Sequence, residues 1–139
     1  MAKILVSGCL VGCTCRYDAQ LKTSEKVLEL AKENTLIPVC PEQLGGLPTP
    51  RHPSERVADK VIRDDGIDVT KEYMLGSKTV VELAKLCKAD YCIMKSGSPA
   101  CGCGKIYDGT FTGNKIPGDG TASELLKQAG FKVITEEDL

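Results

Sequence analysis

The sequence is short of the residues that build mixed metal sites: it holds one histidine, His52, in 139 residues. Paired cysteine–histidine zinc sites therefore have little to draw on, and a site made of thiolates alone is favoured. Charge of one sign is also lacking. Eighteen Lys and Arg against nineteen Asp and Glu leave a net charge of -1, which gives no basic footprint for duplex nucleic acid. Long apolar runs are absent too. The opening MAKILVSGCLVG is broken at Gly8 and Cys9, carries one lysine and offers no small-residue cleavage site. It is too short for a spanning helix and lacks the plan of a signal peptide, so it reads as the first buried strand of a cytoplasmic protein with no membrane partner.

Cysteine, by contrast, is plentiful, with eight in the chain. In a small secreted protein that count would mean disulfides, but a chain of this length builds a core without them. In a reducing compartment the thiols are metal ligands, redox catalysts or small core hydrophobes. The hydrophobic fraction of 42% and charged fraction of 27% are ordinary for a globular protein, and the length suits one α/β domain over residues 1–139.

Strand and helix patterns alternate. Lys3–Ser7 is a short β-branched apolar run ended by Gly8. Thr23 or Ser24 can cap a helix to about Asn34 with Val27, Leu28, Leu30 and Ala31 inward. Leu36–Val39 reads as a second strand, stopped by Pro41, and PEQLGGLPTPRHP as a long non-helical loop. The span 56–70 predicts a hairpin turning at Asp64, Asp65 and Gly66. Thr70 caps a helix over Lys71–Cys87 with Met74, Val80, Val81, Leu83, Ala84 and Cys87 inward. Tyr91–Lys95 is a third strand, a glycine-rich loop follows, Thr121 and Glu124 have capping-box spacing, and Lys132–Thr135 is a last strand. The expectation is a three-layer, Rossmann-like α/β fold: about four mostly parallel strands, right-handed crossovers and a small hairpin.

The cysteines gain meaning from this frame. Cys9 follows the first strand, Cys40 the second, and Cys101 lies in the loop after the third. In an open parallel sheet all three positions lie at the carboxyl edge, where ligands bind at a switch in strand order. Cys87 on a helix stripe and Cys92 inside a strand read as core. Cys13, Cys15 and Cys103 are loop thiols, and the C-x-C pairs 13/15 and 101/103 stay open between chelation and redox chemistry.

The motifs VSGCLVGCTCRYD, PVCPEQLGGLPTPR, DDGIDVT and KSGSPACGCGKIYDGTF, in this order, resemble the thiouracil desulfidase family from Ile4 to Glu136. The resemblance implies a [4Fe-4S] cluster held by Cys9, Cys40 and Cys101, with one iron left open to bind the substrate's thiocarbonyl sulfur. It assigns Glu42, in PVCPE, to water activation and Ser98, in SPACG, to proton transfer. Arg16, Asp18 and Arg51 match positions that anchor substrate or loops. The implied partner is a small thiolated base or nucleotide, which water converts to the oxo base and sulfide. A soft thiolate set agrees with iron–sulfur chemistry, and soft iron with a sulfur ligand.

Two departures matter. RYDA stands where the family has RYDG, so Ala19 occupies a turn that calls for positive φ. Cys103 adds a thiol beside Cys101. If Cys13, Cys15 or Cys103 closed the fourth iron, the alternative would be a closed-cluster or zinc-binding structural or sensing module. A metal-free dithiol redox protein is the third reading.

Overall fold

A computed structural model describes residues 1–139. Four parallel strands make the central sheet. They are β1 (Lys3–Ser7), β2 (Thr35–Val39), β5 (Tyr91–Met94) and β8 (Val133–Thr135), in the order β2-β1-β5-β8. From β1 the chain goes to β2 on one side, and only later to β5 on the other. The order therefore reverses between β1 and β5, which pair Leu5 with Cys92. Alternation along the strands divides the core. Leu5, Cys92 and Met94 face one way and pack with α3 (Thr70–Leu86) and α4 (Thr121–Gln128). Ile4, Val6 and Ile93 face the other way, where Val27 of α1 (Glu25–Leu30) meets them.

The expected strands and the layered α/β plan are present, and the differences are local. Helix α1 begins after the Ser24 cap, whose hydroxyl accepts from the Val27 amide at 3.4 Å, but it ends at Leu30. The stretch taken as loop after Cys40 contains a short helix, α2 (Pro41–Leu44). Proline fits a first helical position because that amide has no helical acceptor to lose. The hairpin turns earlier than expected, at Ala58 and Asp59 between β3 (Ser54–Val57) and β4 (Lys60–Arg63). The Asp64–Gly66 turn follows it, closed by Gly66 donating to the Arg63 carbonyl at 2.9 Å. A second hairpin, β6 (Lys105–Tyr107) with β7 (Lys115–Pro117), lies inside the glycine-rich loop.

Two caps are also displaced. Gly120, rather than Thr121, caps α4, and the Thr121 hydroxyl instead meets Ser77 at 2.8 Å. Asp68 accepts the Thr70 amide at 2.8 Å, while Thr70 turns its hydroxyl towards Val61. On α3 the buried face is Tyr73, Gly76, Ser77, Val80, Val81 and Ala84; Met74, Leu83 and Cys87 are only half-buried.

One contact sets the height of α2. A Cβ on Gly76 would stand 1.7 Å from the Pro41 carbonyl oxygen, and one on Gly45 would stand 2.0 Å from the Glu72 carbonyl oxygen. The helices meet backbone to backbone, which only glycine allows. No helix is long and apolar enough to cross a membrane.

Candidate iron–sulfur site

The carboxyl ends of β1, β2 and β5 open into a cavity of about 330 Å³. Cys9 reaches it from the tight turn Gly8–Val11 that continues β1, Cys40 from the cap position of α2, and Cys101 from the turn after β5. Glu42 and Ser98 line the same cavity, so all five residues expected from the sequence lie together. The eight cysteines are all free thiols.

Each ligand candidate is fixed by its own local structure. The Ser98 hydroxyl oxygen accepts the amides of Ala100 and Cys101, both at 3.1 Å, and the Cys101 carbonyl accepts from Ser123 Oγ at 2.7 Å. The Ser7 hydroxyl accepts the Lys95 amide at 2.8 Å and so ties β1 to β5 beneath the cavity. Burial and the nearby Glu42 charge push the Cys101 thiol up, against hydrogen bonds from Ser7 and Ser98. Cys40 is pushed up by its contact with Cys15 and by burial. Thiols raised in this way hold their protons until a metal displaces them, and a set of thiols with no disulfide is a donor set suited to a soft metal.

Glu42 is held by Arg51, whose Nη2 donates to Glu42 Oε2 at 2.5 Å with the two side chains 12% and 5% exposed. Burial disfavours the Arg51 charge, but Glu42 more than restores it, so the guanidinium stays charged. Arg51 also donates to the carbonyls of Cys15 at 2.8 Å and Pro48 at 3.2 Å, and to Thr49 Oγ1 at 3.0 Å. It is a loop anchor that also grips the carboxylate. Arg16 lines the cavity and pairs with Asp18 at 3.5 Å, while its buried Nη1 has no partner. Ala19 does carry the positive φ of the missing glycine, at 58°.

The open cysteines separate cleanly. Cys15 is buried and lines the cavity beside Cys9 and Cys40. Cys13 is exposed and lies outside the cavity lining, and Cys103 donates to the Val133 carbonyl at 3.5 Å, away from the site. Cys92 is core as expected, and burial pushes its thiol up to about 12. Cys87 caps the end of α3, half-buried.

Tyr73 and Lys95 are among the cavity residues that went unread in the sequence. Tyr73 is 2% exposed, and burial and the Glu42 charge push its phenol up, so it stays a neutral donor. The spacing Tyr73, Ser77, Val80, Ala84 is a helix face, and admitting small polar residues to the inward stripe would have found it. Lys95, just past β5, lines the cavity and bonds Glu136 at 3.2 Å and the Ser96 carbonyl at 3.0 Å.

Comparison with known proteins gives the chain its relatives. A Bacillus subtilis (strain 168) protein, the uncharacterized protein YbbK, is 44% identical over 98% of this chain and 97% of its own length. A solved structure described as the [4Fe-4S]-dependent thiouracil desulfidase TudS superposes with a TM-score of 0.94 at 40% identity, covering 100% of this chain and 93% of that one. The family model for 2-thiouracil desulfurase matches residues 4–138, and the chain belongs to that family.

Proposed function

We propose that the whole chain acts as one iron–sulfur unit, a [4Fe-4S]-dependent desulfidase that converts a small thiolated nucleobase or nucleotide to its oxo form and sulfide. Cys9, Cys40 and Cys101 would hold the cluster, and the observation that carries the reading is their meeting with Glu42 and Ser98 in one cavity. When bound, the cluster supplies a soft Lewis-acid iron that polarises the thiocarbonyl.

The remaining work belongs to the side chains. Glu42, oriented by Arg51, takes the proton of the attacking water. Ser98 accepts two backbone amides, which leaves its hydroxyl proton, shared with the Cys101 thiol, to turn towards the departing sulfur. Tyr73 and Lys95 supply further donors to the polar edges of a heterocycle. A closed structural thiolate site would have no use for this polar cavity beside the thiols, which favours the enzyme over the zinc or sensing module. The volume lies at the small end of ligand sites and favours a single base or nucleotide over a polymer.

The test is anaerobic reconstitution followed by 2-thiouracil or 4-thiouracil. The expected result is about four irons per chain, with oxo base and sulfide formed in equal amounts over many turnovers. In Glu42→Gln the cluster should load normally while turnover falls by about 10²–10⁴. A loaded cluster that releases no sulfide from either base, or from their nucleotides, would refute the catalytic reading.

A further inference from the structure

The cavity holds one thiol more than the proposed cluster requires. Cys15 is 5% exposed, packs in one buried cluster with Cys9 and against Cys40, and lines the cavity with both. It differs from those two in how it is carried. Cys9 sits in a turn continuous with β1 and Cys40 at the cap of α2, whereas Cys15 lies in a stretch, residues 12–24, without helix or strand. That stretch begins at Gly12, which has φ of 108° and nothing within 4 Å of where a Cβ would stand. Besides the packing of the Cys15 side chain beside Cys9, its hold on the site is polar: Arg51 donates to the Cys15 carbonyl at 2.8 Å, the Arg51 amide to the Tyr17 carbonyl at 2.8 Å, and Cys40 Sγ to the Cys15 carbonyl at 3.7 Å.

We propose that Cys15 is a labile fourth ligand, covering the otherwise open iron while no substrate is bound and giving way to the substrate's thiocarbonyl sulfur. This rests on the desulfidase reading and adds a gate to it. The exchange balances without redox change. On closing, the Cys15 thiol loses its proton to solvent and a sulfur–iron bond forms; on opening, that bond is replaced by the substrate's sulfur and the thiolate regains a proton. Persulfide formation on Cys15 does not balance in the same way. The sulfur released by hydrolysis is at the oxidation level of sulfide, and joining it to a thiol needs a two-electron oxidant that neither the structure nor the reaction supplies. A covered iron is also the protected one, since a thiolate keeps water and oxidant from the corner that would otherwise be lost.

The test uses the full chain, reconstituted under argon, as wild type, Cys15→Ala, Cys15→Ser and Cys13→Ala. Each is treated with stoichiometric ferricyanide while released iron and the electron paramagnetic resonance signal of a three-iron cluster are followed. Wild type and Cys13→Ala should resist. Cys15→Ala should lose one iron faster by at least about tenfold, the lower end of what losing even an outer-shell partner does to a metal site, and Cys15→Ser should fall between. Equal rates in wild type and Cys15→Ala would overturn the gate while leaving the desulfidase reading intact. Failure of the wild type to load any cluster would overturn both. If Cys15→Ala does not load, Cys15→Ser decides: wild-type resistance there removes the thiol as a ligand, and failure of both variants to load makes Cys15 a permanent ligand and refutes its lability.

Discussion

Of the three connections that leave the carboxyl edge of the sheet beside the cavity, those after β1 and β5 are built in opposite ways. The one after β5 is braced at nearly every step. Glu136 accepts the Ser96 amide at 2.7 Å and hydroxyl at 2.9 Å, Ser98 closes the turn that carries Cys101, and Gly120 donates to the Gly102 carbonyl at 2.7 Å. The one after β1 is firm only as far as Gly12, then runs irregularly past Cys15 and through a left-handed alanine before reaching α1. Both deliver a buried thiol to the same cavity. The difference lies in how each thiol is carried: a turn closed on its own amides holds Cys101, whereas Cys15 rides on an irregular stretch tied through its carbonyl to Arg51 and Cys40.

The contrast breaks most plainly at the braced thiol. Cys101→Ala should abolish iron loading, whereas Cys92→Ala, buried in the core, should load normally and cost only stability; iron and sulfide assays on anaerobically reconstituted protein read both. Full loading of Cys101→Ala would mean that the firm connection is not a ligand carrier.

Next comes Gly76→Ala. The new methyl cannot coexist with the Pro41 carbonyl, so α2 must move and take Cys40 and Glu42 with it. Overpacking of this kind costs about 3 kcal/mol, read by urea unfolding of the apoprotein, and cluster loading should fall in parallel.

A smaller effect comes from the brace itself. Burial alone would raise the Glu136 carboxyl, but the Ser96 amide and Lys95 outweigh it and hold the carboxyl below its ordinary value of 4.5. A depressed folded value stabilises the protein above the unfolded pKa, and that contribution disappears as pH falls through the folded one. Glu136→Gln should therefore lower stability by about 1–2 kcal/mol near neutrality, with the deficit shrinking in acid. A deficit constant with pH would mean that charge is not what holds the turn.

The smallest change is on the loose side. Ala19→Gly relieves a left-handed alanine at φ 58° and should raise stability by about 1 kcal/mol, visible as a higher midpoint in urea. Ala19 is not among the residues that line the cavity, and iron content should not change.

The sequence made the braced half legible and the loose half much less so. Cys9, Cys40 and Cys101 could be placed because each follows an apolar run whose period marks a strand, and parallel strands end at one edge. Cys15 follows no such element, so nothing in its neighbours' periodicity says whether it turns in or out. Pro41 was read as a stop, although at a first helical position it starts α2. The hairpin was set at the stronger turn signal, Asp-Asp-Gly, while the chain reverses at Ala58 and Asp59, where Ala58 adopts φ of 55°. Tyr73 escaped because its face is completed by Gly76 and Ser77, residues that a search for apolar stripes passes over.

For protein engineering, the contact between Gly45 and Gly76 defines what a portable version of this site would be. Grafting the thiols alone onto another parallel sheet would give the right donors at uncontrolled heights. The transferable part is a backbone-to-backbone seat for a one-turn helix: α2 lowered onto α3 until the Pro41 carbonyl lies where no side chain can stand. That seat sets Cys40 and Glu42 at once, two residues apart on one short rigid piece. A host scaffold needs a glycine on its receiving helix before it needs a cysteine anywhere.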